Sequence, residues 1–305
     1  MATFDLPYHI PVLAQTCIEG LNIRPNGTYV DVTFGGGGHS RMILEQLGEN
    51  GRLFGFDQDP DAQQNALNDS RFTLIPANFG HLKRFLKLYG VTQIDGLLGD
   101  LGVSSHQFDV PERGFTFRAA QSPLDMRMNP SDELTAADIL NTYEQRELTK
   151  IFRDFAELTN AFQVSHAILF QREVKPFETA GDLVSALERQ APKDKLNQFY
   201  ARVFQALRME VNQELQVLEN LLLQSTDILN ESGRLVIISY HSLEDRMVKN
   251  YFRSGNFEGK IEKDFFGNDI RPFRPLNAKA VVPTDEELIE NPRSRSAKLR
   301  IAEKL

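Results

Sequence analysis

Cysteine is nearly absent from this chain of 305 residues, and long apolar runs are absent altogether. The single cysteine, Cys17, cannot form an internal disulfide and has no Cys or His neighbour at metal-ligand spacing. No stretch approaches the roughly 18 consecutive apolar residues that cross a bilayer, and residues 1–9 lack a basic region followed by an apolar run. We therefore expect a cytoplasmic protein with neither a cysteine-rich metal site nor a membrane segment, and any other metal requirement stays open.

The chain lacks an excess of positive charge: it has 34 Lys and Arg against 42 Asp and Glu, a net charge of −8. Phosphate binding depends on Lys and Arg, so this balance argues against a large nucleic-acid footprint over the whole surface. The charge is uneven, however. Residues 241–305 hold 13 Lys and Arg against 11 Asp and Glu, a net charge of about +2, while the rest carries −10. The tail is therefore the better candidate for contact with a polyanion, although a solvated surface would explain it equally well.

Short apolar segments alternate with helical spacing over the first hundred residues, a pattern that predicts a parallel sheet with helices on its faces. The predicted strands are Thr28 to Phe34, Arg52 to Asp57, Arg71 to Ile75 and Ile94 to Asp100. The helical segments between them are His39 to Leu47, Pro60 to Asn68 and His81 to Tyr89.

After Asp100 the alternation stops, and helical patterns predominate until strand character returns. The predicted helices are Thr135 to Thr142, Glu144 to Phe155, Ala161 to Val174, Thr179 to Arg189 and a long one from Arg202 to Leu229. Two further strands follow, Arg234 to Tyr240 and Lys298 to Glu303. This order predicts one sheet domain, residues 1–105 and 206–305, interrupted by a helical subdomain over residues 106–205.

Four glycines, Gly35 to Gly38, directly follow the first predicted strand and open a helix. Glycines there allow close backbone approach to a ligand, and the helix N-terminus offers N–H donors to a carboxylate or phosphate. Asp57 ends the second strand, where a carboxylate can accept hydrogen bonds from ribose hydroxyls. Asp59 is better placed than Asp57 to cap the next helix. Together these features predict a nucleoside cofactor.

The third glycine of a dinucleotide-binding turn is missing, since Ser40 or Arg41 stands where Gly-x-Gly-x-x-Gly requires it. S-adenosylmethionine (SAM) has no pyrophosphate to seat, so this loss favours a methyltransferase over a dehydrogenase. The fourth strand ends at Asp100, at the edge where open α/β sheets bind ligands. Asp100 is our candidate to accept the N–H of an amino group during methylation. A carboxylate that contacts only cofactor, or caps a turn, is an equal alternative.

Eight blocks of sequence, spread over nearly the whole chain, resemble the bacterial 16S rRNA cytosine-N4 methyltransferase family. They are His9 to Leu13, Asp31 to Ser40, Gly99 to Ser105, Glu112 to Phe117, Leu124 to Met128, Val211 to Leu215, Ser239 to Arg246 and Asn291 to Arg295. The resemblance implies a class I SAM-dependent methyltransferase fold with a helical insertion. It also implies methyl transfer to N4 of one cytidine in the decoding region of 16S rRNA, within the small ribosomal subunit.

By position, the resemblance assigns cofactor contacts to seven residues. They are Gly37, Gly38, His39, Asp57, Phe79, Asp100 and Gln107. Phe79 would contact the adenine, with a core position as the alternative, and Gln107 would reach the amino-acid end of the cofactor. His106 stands where the family commonly has proline, which makes the loop carrying Gln107 less rigid.

Substrate contacts are expected from the segment after the strand that ends near Tyr240. His241 and Ser242 would reach the sheet edge, with Arg246 on the following helix, and the alternative role for the first two residues is only to cap that helix. Four more residues are candidates for contact with RNA: Asp125, Arg127, Arg293 and Arg295. Cytosine C5 chemistry is disfavoured because Cys17 lies far in sequence from these motifs. A dehydrogenase and a noncatalytic RNA-binding or assembly factor remain the alternatives, and oligomeric state stays open.

Overall fold

One sheet organises the part of the chain that this computed structural model describes, residues 11–305. Its strands are β1 (Thr28–Asp31), β2 (Arg52–Phe56), β3 (Phe72–Ile75), β4 (Ile94–Asp100), β5 (Leu229–Ser239), β6 (Phe273–Pro275) and β7 (Lys298–Lys304). The order is β3-β2-β1-β4-β5-β7-β6, in which β1 to β5 are parallel and β7 is antiparallel to both neighbours. Strand order reverses between β1 and β4, and ligands bind at the carboxyl ends of strands at such a point.

Helices connect these strands and form the long excursion between β4 and β5. They are α1 (Ala14–Leu21), α2 (Gly38–Gln46), α3 (Leu82–Leu88), α4 (Ser105–Asp109), α5 (Ala136–Thr142), α6 (Gln145–Asp154), α7 (Ala161–Val174), α8 (Ala180–Ala186), α9 (Leu196–Val211), α10 (Glu214–Ile228), α11 (Ser242–Ser254) and α12 (Asp285–Glu290). Single 3₁₀ turns cover Pro60–Asn65, Phe79–His81, Pro111–Arg113 and Pro292–Ser296. Among the described residues, no helix has the length and apolar character needed to cross a membrane.

The sheet is covered on both faces, as the period-two alternation of strand side chains requires. In β5, Leu235 and Ile237 face a core built with α3, α10 and α11. Val236 and Ile238 face the opposite core, which α1 and α2 complete. Strands buried on both faces read as continuous apolar runs, which is why β5 and β4 were recognisable in the sequence.

The chain divides into two compact units, a sheet unit that ends at Gly102 and resumes at Leu215, and a helical unit over Val103–Glu214. The helical unit has its own core, to which Leu148, Phe152 and Ile168 contribute fully buried side chains. Helix α9 belongs to this core, and the expected boundary at residue 205 falls inside it. The unit therefore extends further along the chain than the sequence pattern suggests.

Several predicted elements are confirmed and two are wrong, since the helical segment predicted over Pro60 to Asn68 is only a 3₁₀ helix over Pro60–Asn65 and a longer helix is divided. Strand β4 has the predicted bounds, and Thr135 and Thr179 cap α5 and α8 through capping boxes. Asp59 caps the turn that begins at Pro60, as its position indicated. The long helix predicted from residue 202 to 229 is instead two helices, because α9 ends at Val211 and Gln213 adopts a left-handed φ of 49° before α10 begins.

Candidate functional site

The glycine turn joins the end of β1 to the start of α2. Phe34 donates its backbone N–H to Phe56 of β2 at 2.9 Å, and Gly37 turns back to donate to Phe34 at 2.7 Å. Gly37 has a φ of +74°, in the left-handed region that glycine occupies without steric cost. Helix α2 then begins at Gly38, so the turn delivers the chain directly into a helix N-terminus.

Space as well as conformation demands glycine at two of these positions. A Cβ atom on Gly37 would lie 2.9 Å from the Phe34 ring, and one on Gly38 would lie 2.6 Å from Cγ of Pro11. Both distances are shorter than real Cβ contacts, so a side chain would displace the turn. Close packing therefore fixes the path of the backbone that leads into the first turn of α2.

Asp31, at the end of β1, anchors this turn from inside the protein. Its side chain is 1% exposed, and its two oxygens accept hydrogen bonds from the Ser40 hydroxyl at 2.7 Å and the Thr33 backbone N–H at 3.1 Å. Burial raises the pKa of Asp31, which these bonds and the charge of nearby His39 oppose. The sequence predicts no role for Asp31, since its only signal is a carboxylate at the end of an otherwise apolar strand.

Asp57 follows β2 and lies directly against the turn. Its Oδ2 accepts the Gly35 N–H at 2.8 Å, and its Oδ1 accepts the Asp59 N–H at 2.9 Å. Burial raises the pKa of Asp57 to about 6, while the two backbone bonds counteract that rise. The structure thus brings together the glycine turn and the carboxylate predicted to bind ribose, and it makes Asp59 the helix cap.

Asp100 at the end of β4 contacts the turn from the other side. Its backbone N–H donates to the Thr33 hydroxyl at 2.7 Å, and its Oδ1 accepts a hydrogen bond from the Tyr240 hydroxyl at 2.7 Å. Thr33 also lies beside Asp31, so hydrogen bonds run from the start of α2 to the ends of β4 and β5. The ends of these strands form one polar edge.

The remaining predicted cofactor residues differ in what they present. His39 is 6% exposed, and its Nε2 lies 3.1 Å from the Val12 carbonyl, so its backbone N–H at the start of α2 is the group suited to a ligand. Phe79 is half-buried beside the sheet core. Gln107 lies in the helical unit, where its side chain and Ser104 form the capping box of α4.

The residues after β5 mainly organise the start of α11. His241 caps this helix through the Glu244 N–H, which approaches Nδ1 at 3.4 Å, and its Nε2 lies 3.1 Å from Glu244 Oε1, off the line of a good hydrogen bond. Asp245 pairs with Arg300 of β7 at 2.6 Å. Ser242 and Arg246 are exposed. The capping role considered from the sequence is therefore present for His241.

Two predicted RNA contacts in the helical unit pair with each other. Arg127 donates to both oxygens of Asp125 at 2.8 and 2.7 Å, and its Nη1 donates to the Asp132 carbonyl at 2.6 Å. Burial would raise the pKa of Asp125, but the bonds and charge of Arg127 bring it below its usual range. This pair has a structural task that the sequence did not indicate. Arg293 and Arg295, in the sheet unit, are exposed on the turn before β7.

The polar edge fits a SAM molecule in its donor chemistry. The first N–H groups of an α-helix have no partner within the helix, and α2 offers those of Gly38, His39 and Ser40 next to a turn packed too tightly for side chains. Each Asp57 oxygen accepts one backbone bond and retains acceptor capacity for a ribose hydroxyl. A carboxylate and a ribose thus find complementary groups on the two sides of the turn.

Comparison with known proteins identifies the family. A family model described as the MraW methylase family matches residues 7–305. The ribosomal RNA small subunit methyltransferase H of Bacteroides thetaiotaomicron is 53% identical over 300 residues, with 98% of each chain covered. That of Parabacteroides distasonis is 53% identical over 302 residues, with 99% of each covered. A solved rRNA methylase from Streptococcus thermophilus is 15% identical with a TM-score of 0.39, covering 100% of this chain and 99% of that one.

These matches extend over almost the entire sequence rather than over the sheet unit alone. The mostly parallel sheet and the helical insertion agree with the fold that the sequence blocks implied, so the predicted class I SAM-dependent methyltransferase fold is confirmed. The chain therefore belongs to the MraW methylase family.

Proposed function

We propose that this methylase transfers a methyl group from SAM to the exocyclic N4 of a specific cytidine in the decoding region of 16S rRNA. The relatives that it matches over almost their full lengths are named as small-subunit rRNA methyltransferases. The observation that carries the proposal is the single polar edge where the glycine turn contacts Asp57 on one side and Asp100 on the other. The residues proposed to bind the cofactor and to act on the amine both contact this turn, which supports the proposal.

The cofactor is held by residues that the family pattern and the geometry both favour. The N–H groups at Gly38 and His39 would hold the carboxylate of SAM, and Asp57 would accept hydrogen bonds from its ribose. Phe79 would contact the adenine, and the family pattern also assigns cofactor contacts to Gly37 and, in the helical unit, to Gln107. When bound, SAM supplies an electrophilic methyl group on a sulfonium centre.

Asp100 acts on the amine that receives this methyl group. The N4 lone pair of cytosine is delocalised into the ring, so alignment of the amine supplies much of the reduction in barrier. Asp100 accepts an N4–H hydrogen bond and turns the lone pair toward the methyl group. Bound SAM would supply the methyl group for the new N–C bond, and its sulfur would keep the electron pair of the broken C–S bond. The amine then releases a proton to Asp100 or to water.

The cytosine reaches this edge only after leaving its stack, which requires a pocket for the extruded base. We assign that role to the segment that begins α11, with His241, Ser242 and Arg246 as base or backbone contacts. Arg293 and Arg295 contact RNA phosphates, and the Asp125–Arg127 pair forms part of an RNA-facing surface of the helical unit.

The substrate is the assembled small subunit, in the cytoplasm, rather than protein-free rRNA. In a chain of net charge −8, the 34 Lys and Arg are outnumbered by 42 Asp and Glu, which weakens attraction to flexible RNA, whereas a preorganised particle presents the target already ordered. Initial rates on isolated subunits and on protein-free 16S rRNA test this directly. A higher rate on protein-free RNA would contradict it.

Mass spectrometry of rRNA tests the central proposal. Small-subunit rRNA from cells that lack the protein should lose N4-methylcytidine, and expression of the wild-type chain should restore it. The Asp100→Asn variant should bind SAM but restore the modification poorly, whereas Asp95→Asn, at the opposite end of β4, should restore it. Unchanged N4-methylcytidine in cells lacking the protein would remove the proposed function.

Calorimetry separates the two alternative functions. The proposed enzyme binds SAM and not NAD, whereas a dehydrogenase would bind NAD. A noncatalytic RNA-binding or assembly factor would bind small-subunit RNA without transferring a methyl group from labelled SAM. Either of these outcomes would replace the proposal.

A further inference from the structure

Tyr240, the residue that follows β5, contacts the proposed reacting carboxylate directly. Strands β4 and β5 are parallel neighbours with Asp100 opposite Ile238, so the chain carries Tyr240 just past the same sheet edge. There its hydroxyl lies 2.7 Å from Asp100 Oδ1. No sequence pattern singled out this tyrosine, because the contact joins residues 140 positions apart.

The hydroxyl is the donor in this contact. Burial, followed by the negative charge of Asp100, raises the pKa of Tyr240 far above its ordinary value, so the phenol keeps its proton. The backbone around it is fixed as well, because the Tyr240 N–H donates to Glu244 Oε2 at 3.0 Å. A protonated phenol that donates to a carboxylate forms a charge-assisted bond, which is shorter and stronger than a neutral one.

Several acidic groups lie near the hydrogen-bonded pair of Tyr240 and Asp100. Burial raises the pKa of Cys17 in α1, and the negative charges of nearby Asp100, Asp31 and Glu287 raise it further. The negative charge of Glu244 in α11 likewise raises the pKa of Tyr240. A hydrogen bond donated to a carboxylate favours its ionised form and fixes the oxygen that accepts it.

We propose that Tyr240 is a positioning residue, whose hydroxyl holds the Asp100 carboxylate ionised and oriented to accept the N4–H of the target cytosine. Thr33 fixes the backbone of Asp100 and Tyr240 fixes its side chain. Together they leave the carboxylate little freedom to rotate away from the amine. This inference rests on the proposed function, since it deepens the role given there to Asp100.

The Tyr240→Phe variant removes only the hydroxyl and tests the proposal. Loss of a hydrogen bond to a charged group should reduce kcat on small-subunit rRNA about 10- to 100-fold. The acid limb of the kcat–pH profile should move to higher pH, because the carboxylate protonates more readily without its donor. The Kd for SAM, measured by calorimetry, should change by no more than about twofold.

A double-mutant cycle shows whether Tyr240 acts through Asp100. In an Asp100→Asn background the added Tyr240→Phe change should reduce kcat no further, because the carboxylate that the phenol serves is gone. Tyr251→Phe is the matched control, since its hydroxyl pairs with Thr226 at 2.7 Å and its side chain is buried in the same sheet unit. It should lower thermal stability in the same way without moving the acid limb.

The positioning role would be overturned by wild-type kcat and pH profile in Tyr240→Phe, or by additive losses in the double mutant. Equal effects of Tyr240→Phe and Tyr251→Phe on the pH profile would also overturn it, because they would report general destabilisation. The wild-type chain is assayed alongside each variant. An inactive wild type identifies failure of the proposed function, which is thereby distinguished from failure of the positioning role.

Discussion

At the scale of single residues, the polar edge depends on carboxylates in different surroundings. Asp31 is sealed inside and serves the backbone of the turn, whereas Asp57 remains partly exposed with its pKa raised to about 6. The position of Asp57 directly after a strand is legible in the sequence, and its ribose contact stays a prediction from that position. Asp31 was not predictable, because its partners Ser40 and Thr33 are identified only by the folded turn.

Asp57 should make SAM binding depend on pH near 6. Ribose hydroxyls donate to the ionised carboxylate, so affinity should be full above pH 6 and fall by up to about tenfold per pH unit below it. Calorimetry between pH 5 and pH 8 measures this, and Asp57→Asn should bind weakly with a flat profile. Constant wild-type affinity over that range would contradict the ribose contact.

In the ligand-free protein, ionisation of Asp57 with rising pH should lower the free energy of unfolding, whereas the same ionisation should strengthen SAM binding. The folded-state pKa of Asp57, about 6, lies above the unfolded value near 4, so the folded chain binds more protons between those pH values. The stability that this group contributes is fully present below about pH 4 and is lost as pH rises through 6. Urea unfolding of the wild type and Asp57→Asn across this range should show the difference.

Gly37 should be intolerant of alanine for a reason that Gly90 does not share. Both have left-handed φ values, +74° and +72°, but a Cβ on Gly37 would lie 2.9 Å from a ring whereas one on Gly90 meets nothing within 4 Å. Gly90→Ala should therefore cost about 1–2 kcal/mol of unfolding free energy, and Gly37→Ala roughly 1–3 kcal/mol more. Denaturant titrations measure both, and equal losses would show that the turn relaxes around the added methyl.

At the scale of elements, the break between α9 and α10 shows why helix length was misjudged. The sequence there contains neither Gly nor Pro, so its pattern predicts a continuous helix. In the structure, Asn212 donates to the Met126 carbonyl at 2.8 Å and accepts from the Met128 N–H at 2.7 Å. These bonds join the end of α9 to a loop more than eighty residues earlier. Distant contacts thus accompany the end of the helix.

Asn212→Ala should destabilise the helical unit by about 2–4 kcal/mol, since it removes three side-chain hydrogen bonds, with Met126, Met128 and Arg208, and so takes a partner from each of those backbone groups. Hydrogen exchange should accelerate around residues 124–128. Asn197→Ala is the control, because Asn197 is exposed on the same helix and alanine favours helix there. If the two variants were equally stable, the Asn212 bonds would contribute nothing net.

At the scale of the whole molecule, two units with separate cores divide the assigned residues between them. The sheet unit holds the glycine turn, Asp57 and Asp100, while the helical unit holds Gln107 and the Asp125–Arg127 pair. The family blocks within Glu112 to Phe117 and Leu124 to Met128 belong to the helical unit. There a Cβ on Gly114 would lie 2.3 Å from the Pro123 carbonyl oxygen. Gly114, in one of these blocks, is thus required by close packing inside the helical unit.

SAM should protect the sheet unit selectively from hydrogen exchange. At 100 times its Kd it stabilises the binding-competent state by about 2.7 kcal/mol. Amides at residues 35–40 and 57–59 should therefore exchange more slowly, while those of buried α6, around Leu148 and Phe152, should be unchanged. NAD at the same concentration serves as the control and should protect neither. Protection confined to the helical unit would contradict the assigned cofactor site.

The sequence by itself determined the strands at the centre of the sheet, the glycine turn, the position of Asp57 and the family. Each of these depends on neighbouring residues, whose spacing, burial pattern and backbone freedom are legible along the chain. Tertiary structure alone decided that Tyr240 donates to Asp100, that Asp31 anchors the turn, and that Asn212 joins α9 to a distant loop. Such contacts join residues distant in sequence, and the hydrogen bonds that buried polar groups require are fixed only when the chain has folded.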